Sequence, residues 1–399
     1  MKILHICKLG YEGAGNAASR HSEAFKRKGI KSKMLVLRGK ADDIVVNTTI
    51  GCKIRNLISK IFSHVIGYPQ YVWHYMLGNY GLNNIEDVKC ADIVYIHWIN
   101  DFIGYKDIKW LLTNKKKVVW FLHDMWPLTG GCHHAFDCKG YTDKCVHCPQ
   151  IRFLKSFALH QQSKKIDEWN CFHNFIIASP SKWLADCATK SSVFTGLKIV
   201  VCPNVIDTDF FTPKDKYKCR ERLDLDVSKR YVMLSAVAAN NIYKGFDYLC
   251  DAITKVTTPN VEFLIVGHVN IDNYPIDIQS KIKRLGFISD MQVIVDVYNS
   301  ADAYVTSSIA ENFPNVVIEA MSCGTPCVGF ATGGIPEQIS HLKNGYLAKY
   351  KDSDDLASGI DWILNTEKYD ELCVNARNYV IENCSYINVL KNHERILED

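Results

Sequence analysis

The amino-acid sequence predicts an α/β chain of two doubly wound domains, each built on a parallel sheet. Three observations predict it. Short apolar runs of strand length alternate with stretches of 3.6-residue periodicity. That alternation is completed twice within 399 residues, a length that suits two domains at roughly 100–200 residues each. Charge divides the chain near its middle: residues 1–199 carry 28 Lys and Arg against 15 Asp and Glu, whereas residues 200–399 carry 19 against 28.

In order, strands are expected at 2–7, 32–37, 93–97, 118–123, 175–178 and 198–202 in the first half. In the second half they are expected at 232–236, 262–266, 303–306 and 327–330. Helical periodicity is clearest over 246–256 and 354–364. Such alternation calls for parallel strands joined by crossover helices. The segment PNVIDTDFFTP, residues 203–213, lies where basic gives way to acidic and reads as the connection. The expected domains are therefore 1–203 and 204–380, with a last helix over 381–399 expected to cross back to the first.

Composition narrows the class. Apolar residues make up 47% and charged residues 23%, globular proportions that exclude extended disorder. No run approaches the roughly 20 apolar residues of a spanning helix. The start, MKILHICKLG, reads as a first strand and not as a secretion signal. A cytoplasmic chain is expected, and most of its 16 cysteines then serve as small buried hydrophobes without disulfides. The basic half suggests an anionic partner for that domain.

Strand one runs into Gly10-Tyr-Glu-Gly13-Ala-Gly15-Asn-Ala-Ala18 and a helix. Glycines permit close backbone approach, and the N–H groups of a helix start attract phosphate. Gly13-x-Gly15-x-x-Ala18, with Arg38 after strand two, also fits an NADP-binding fingerprint, so an NADP-dependent oxidoreductase is a rival reading.

The second half holds the stronger pattern, Glu311-Asn-Phe-Pro314 followed by Asn315-Val316 and Glu319-Ala-Met, then Gly324-Thr-Pro326 and Gly333-Gly-Ile-Pro-Glu337. A strand enters a loop carrying Glu311. Pro314 pre-sets a helix start, leaving the amides of Asn315 and Val316 to face an anion. Carboxylates beside an anion site suit sugar hydroxyls on either side of a diphosphate.

These motifs resemble the family 4 glycosyltransferases, retaining enzymes of the GT-B fold, of the bacterial surface-polysaccharide type with a Cys-rich insert. Lys244-Gly245, the Gly13/Gly15 loop and Pro203-Asn-Val-Ile-Asp207 agree with the resemblance, which covers nearly the whole chain. It implies two Rossmann-like domains facing across a cleft and hexosyl transfer with retention. The donor is a nucleotide-sugar, UDP- or GDP-linked, and the acceptor a lipid-linked sugar or polysaccharide in cell-surface glycan assembly. By position, Glu311 would hold donor-sugar hydroxyls, Glu319 the ribose hydroxyls and Lys244 the diphosphate, while His123 would approach the anomeric carbon. No catalytic metal is expected. The family places an Arg shortly before the Lys; here Ala238-Ala-Asn240-Asn241-Ile-Tyr243 has none, and Asn240 or Asn241 or the helix amides would take its share of the charge. The missing Arg also motivates a second rival, an inactive zinc-containing binding protein.

Between Thr129 and Gln150 lies an insert with Cys132, Cys138, Cys145 and Cys148. Four thiolates suit a structural zinc; unligated thiols or redox pairing are the alternatives. With little apolar content, the insert is expected to need such a staple. His133 and His134 are further candidates for contacts to acceptor or donor. Its few basic residues are offset by acids, so no nucleic-acid partner is expected. Finally, Ile54, Leu57, Ile58, Ile61, Phe62, Val65 and Ile66 fall on one helical face beside Lys53, Arg55 and Lys60. Such a helix either faces the core or lies on an anionic membrane, placing the protein peripherally on the inner face of the plasma membrane.

Overall fold

The chain folds as two compact units, described here from a computed structural model: Met1–Val205 with Val389–Asp399, and Ile206–Asn388. The described residues are 1–397 except 47–49, 78, 79, 116, 236–241, 270 and 273; the side chains of 12, 50, 52 and 53 are also left aside.

The first unit is built on seven parallel strands: β1 (Lys2–Ile6), β2 (Lys31–Val36), β3 (Ile44–Val45), β4 (Ile93–Ile96), β5 (Lys117–Phe121), β6 (Phe175–Ser179) and β7 (Lys198–Val201). Their order is β3-β2-β1-β4-β5-β6-β7, so the sheet reverses direction of growth between β1 and β4. Strands β4 and β6 are buried at every position, the pattern of a sheet covered on both faces. Runs buried in this way need no polar alternation to be strands.

The second unit has six: β8 (Arg230–Ser235), β9 (Val261–Val266), β10 (Ile282–Gly286), β11 (Ala303–Thr306), β12 (Cys327–Phe330) and β13 (Gly345–Ala348). Their order is β10-β9-β8-β11-β12-β13, all parallel, with the reversal between β8 and β11. In open α/β sheets, ligands bind beyond the carboxyl ends of the strands at such a reversal. Each unit therefore has one topologically favoured place for a site.

The cysteine insert departs from expectation. Cys132, Ala135, Tyr141, Cys145 and Cys148 are buried in the apolar core of the first unit, alongside Trp73, Leu128 and Ile151. The insert is ordered by that core and by side-chain bonds: Gln162 Oε1 accepts from Cys145 N at 2.6 Å, and Gln150 Nε2 donates to His134 O at 2.6 Å.

Candidate functional site

At the reversal of the second sheet, Lys244 follows β8 and Glu311 follows β11. Their side chains form an ion pair between Lys244 Nζ and Glu311 Oε1. The backbone under this pair is tightly fixed. Ser307 Oγ donates to Lys244 O at 3.0 Å, and Ile309 N donates to Tyr243 O at 2.8 Å. Gly245 has φ +60°, and a Cβ there would stand 2.1 Å from Ser307 O. Gly333, at φ +57°, lets its turn press onto the other loop, since a Cβ would stand 1.7 Å from Glu311 O. These two glycines explain why Lys-Gly and Gly-Gly belong to the motif. Burial works to lower the Lys244 ammonium, but the charge and hydrogen bond of Glu311 outweigh it and hold its pKa above the usual value.

Lys244, Glu311 and Val316 line one cavity of about 110 Å3, with Ser235, Phe246, Tyr304, Thr306, Ser307 and Ser308 among its walls. Val316 is the second residue of the helix Asn315–Ser322, which Pro314 begins with an extended φ of −62° and ψ of 122°. Through Val316 the first turn of that helix reaches the same cavity. Glu319 stands one turn further in and is 9% exposed; its Oε2 accepts from Tyr298 Oη at 2.9 Å. Tyr298 is therefore a site-shaping residue that sequence reasoning missed. Asn240 and Asn241 lie outside the described residues.

Gly13, Gly15 and His123 belong to the first unit. Gly13 takes φ +29° inside the helix Glu12–Arg27, and a Cβ on Gly15 would stand 2.4 Å from Leu9 O. Close packing of the turn thus accounts for Gly15 without a dinucleotide. His123 lies two residues beyond β5, which is shorter than expected. Its Nε2 is 2.9 Å from His97 Nδ1, and His97 Nε2 is 2.9 Å from His5 Nδ1. The register explains this staircase: His5 pairs with Tyr95, and Ile96 with Trp120. Each imidazole is then one strand over and two residues further toward the carboxyl edge, so all three share a face. Burial pushes His123 down to about 4 and His5 to about 3, so these imidazoles are neutral at pH 7.

Beside it, Asp124 Oδ2 accepts from His133 Nδ1 at 2.6 Å and from Trp98 Nε1 at 3.1 Å. Burial works to raise Asp124, yet His133 outweighs it and leaves the carboxyl at about 2. His133 Nε2 is in turn 2.8 Å from His74 Nδ1. His5, His97 and Asp124 were not singled out in sequence, although Asp124 adjoins the candidate His123.

Cys132, Cys138, Cys145 and Cys148 all line one cavity of about 430 Å3, and all four are free thiols. Among the described residues no three or more His, Cys, Asp or Glu side chains are arranged to hold a metal ion. Burial pushes the Cys145 thiol up to about 11.

Known proteins place these features. Residues 220–383 match the family described as glycosyl transferases group 1. The D-inositol 3-phosphate glycosyltransferase of Mycolicibacterium smegmatis is 32% identical over 387 residues, covering 91% of this chain and 82% of that protein. An uncharacterized glycosyltransferase of Methanocaldococcus jannaschii, MJ1607, is 32% identical over 182 residues; there the chain spans only 46% of the relative's length. Among solved structures, Anabaena Alr3699/HepE in complex with UDP and glucose superposes with a TM-score of 0.66 at 18% identity, covering 100% of this chain and 99% of that one. WaaG, a glycosyltransferase involved in lipopolysaccharide biosynthesis, gives 0.65 at 13% identity and 99% of each chain. At these identities the structural likeness is one of fold, the GT-B architecture.

Proposed function

The chain belongs to the group 1 glycosyl transferases, and from that premise we propose that it moves a hexose from a UDP- or GDP-linked donor, with retention, to a lipid-linked or glycan acceptor in cell-surface glycan biosynthesis. The observation that carries the donor half is the Lys244–Glu311 pair at the reversal of the second sheet, beside the start of the helix Asn315–Ser322. The chemistry follows from charge. A departing nucleoside diphosphate gathers negative charge on its phosphate oxygens, and an ammonium with helix amides stabilises it where it forms. Before donor binds, Glu311 holds the ammonium. The donor separates the pair: diphosphate takes Lys244, and sugar hydroxyls take the carboxylate of Glu311. Glu319, steadied by Tyr298, is the candidate for the ribose hydroxyls. No nucleophilic side chain is required. The roles expected of Gly13, Gly15 and His123 in the first unit stand as proposals beside this one. So do Asn240 and Asn241 as substitutes for the missing Arg.

The test is a thermal-shift comparison of UDP, GDP and NADPH, followed by turnover with the stabilising nucleotide's sugars and a lipid-linked acceptor. Stabilisation by UDP or GDP, and turnover lost in Glu311→Ala, are the expected results. Stabilisation by NADPH alone, or undiminished turnover in that variant, rejects the assignment. The anomeric configuration of the product, read by NMR, tests retention. For the insert we propose a structural zinc drawn in by its four thiols. They would have to close from their present positions, and metal analysis of the purified protein decides between zinc and free thiols.

A further inference from the structure

The helix Ile50–Ile66 is turned inside out. A helix on the surface of a core ordinarily directs its apolar stripe inward and its polar side to water. Here Ile54, Leu57, Ile58, Ile61 and Val65 recur at the spacing of one face, and each is at least 50% exposed. The inward side carries Ser59 and Ser63, both buried. Ser59 Oγ donates to Tyr75 O at 3.0 Å, and Ser63 Oγ accepts from Tyr75 N at 3.3 Å. Phe62 turns inward too, with ring centroids 5.3 Å from Tyr75 and 4.9 Å from Phe157. Hydroxyl bonds, the Phe62 ring and the buried Ile66 hold the helix to its unit, so these two residues leave the face expected for them, while Ile54, Leu57, Ile58, Ile61 and Val65 stand in water.

The carboxyl end of this helix meets a second apolar pair. Arg152 N donates to Ile66 O at 2.7 Å, and Gly67 bridges to Ile151. Phe153 and Leu154 follow at once, 62% and 60% exposed. Single exposed apolar residues are ordinary, but a row of this length marks an interaction surface.

Charge says which kind. No Asp or Glu occurs anywhere from residue 44 to 85, nor from 144 to 166. These are the two segments that supply the surface. Arg55, Lys60, Arg152 and Lys155 are exposed on them. Among the described residues no helix is long and apolar enough to cross a membrane. An apolar stripe framed only by cations, on a helix too short to span, has the character of an interfacial helix. We infer that this face of the first unit docks on an anionic lipid bilayer, with the aliphatic stripe entering the headgroup boundary and the basic residues meeting lipid phosphate. This rests on the reading of the acceptor as membrane-borne, and it names the surface that meets the membrane.

The full chain is sedimented with vesicles of phosphatidylcholine alone and with phosphatidylcholine containing phosphatidylglycerol. Binding to the anionic vesicles, weakened by salt, is expected. Arg55→Glu/Lys60→Glu is expected to weaken it about tenfold or more. Leu57→Ser/Ile61→Ser is expected to do the same, while Ile387→Ser in the second unit changes nothing. All these side chains are exposed, so the melting temperature stays put. UDP binding, measured in parallel, separates the two proposals: variants that lose vesicles but keep UDP support docking and leave the donor site intact. Equal binding to neutral and anionic vesicles, no binding by the unaltered chain, or unchanged binding in both double variants overturns the inference. So does a dimer of the unaltered chain that Leu57→Ser/Ile61→Ser makes monomeric while vesicle binding persists.

Discussion

The two sheets share one winding and differ in what stands where strand order reverses. In the first unit the reversal lies between β1 and β4, and the groups there are imidazoles held neutral by burial. In the second it lies between β8 and β11, and the groups there are an ammonium and a carboxylate locked together. Topology supplies the place, and the side chains decide whether it is suited to hydrogen bonding or to charge. The difference extends beyond the sites. His5, His21, His74, His97, His123 and His393 of the first unit are all depressed, with burial the leading cause in each. The second unit is secured by ion pairs of buried carboxylates, such as Asp302 with Arg220 and Lys216, and Asp296 with Arg222 and Lys214.

The largest effect that can break this comparison is a pH titration. An imidazole whose folded pKa lies below its unfolded value of 6.5 binds more protons unfolded than folded. Its contribution is therefore complete above pH 6.5 and is lost as pH falls toward the folded pKa of about 3 to 4. Each costs about 1.4 kcal/mol per pH unit across that window, so several together should unfold the first unit in mild acid. Seven of the eight tryptophans, all but Trp362, are in that unit. Tryptophan fluorescence should thus report loss of structure between pH 6.5 and 4 while UDP binding by the second unit outlasts it. Simultaneous loss of both signals would show that the two units do not differ as described.

Next in size is Lys244→Ala. Removing the one lysine offered to the diphosphate should lower turnover about a hundredfold or more, the cost typical of one preorganised charge-stabilising donor. Glu311→Gln keeps a hydrogen-bonding group for sugar hydroxyls and should lose less. If the two substitutions cost the same, neutralising the diphosphate is not the main service this site provides.

Much of this was legible in sequence, for physical reasons that can be named. Runs such as IVYI and FIIAS are apolar at nearly every position, and buried parallel strands of that length are built so. The Lys244 and Glu311 loops were legible because charged residues and glycines fall together at strand ends. Strands β3, β10 and β13 were not foreseen. The first has two residues, the second carries Lys283 and Arg284 on a sheet edge, and the third opens on Gly345, which reads as a loop. That glycine is needed where it is, since a Cβ would stand 2.2 Å from Cys327 O. Periodicity found the stripe of the helix Ile50–Ile66 but left two faces possible; the direction was settled by serine bonds to Tyr75, which lies beyond the helix on the following segment. The insert was expected to lack the apolar content to order itself because its cysteines were not counted as core side chains, whereas Cys132, Cys145 and Cys148 are buried with Ala135 and Tyr141.

A third and smaller effect compares a glycine from each unit. Gly13 and Gly333 both have positive φ, so alanine at either strains the backbone by roughly 1 kcal/mol. Among the described residues nothing lies within 4 Å of a Cβ on Gly13, whereas one on Gly333 meets a backbone oxygen at 1.7 Å. Gly13→Ala should cost only the strain, and Gly333→Ala should cost about 2 kcal/mol more as the Glu311 loop is forced away. Donor affinity should fall only in the latter. Equal melting points for the two variants would mean that the second loop is freer than its packing implies.

The smallest effect concerns Tyr298→Phe. Its hydroxyl is buried and donates to Glu319 Oε2 at 2.9 Å; burial, and after it the carboxylate, push the phenol well above its usual pKa range. Removing the hydroxyl leaves a buried carboxylate oxygen short of one donor, at a cost of about 1–3 kcal/mol. The cost to stability and the cost to binding should separate. If Glu319 holds ribose, UDP and a free nucleoside lose affinity together, by about tenfold or less, while inorganic diphosphate is unaffected because Lys244 and the helix amides are untouched. If the Tyr298–Glu319 bond is only a strut of the helix Asn315–Ser322, diphosphate and UDP weaken alike, since the helix start itself shifts. Titrating the three ligands against this one variant therefore tells whether the second unit's charge is divided between a phosphate end and a sugar end, as the positions of Lys244 and Glu319 imply.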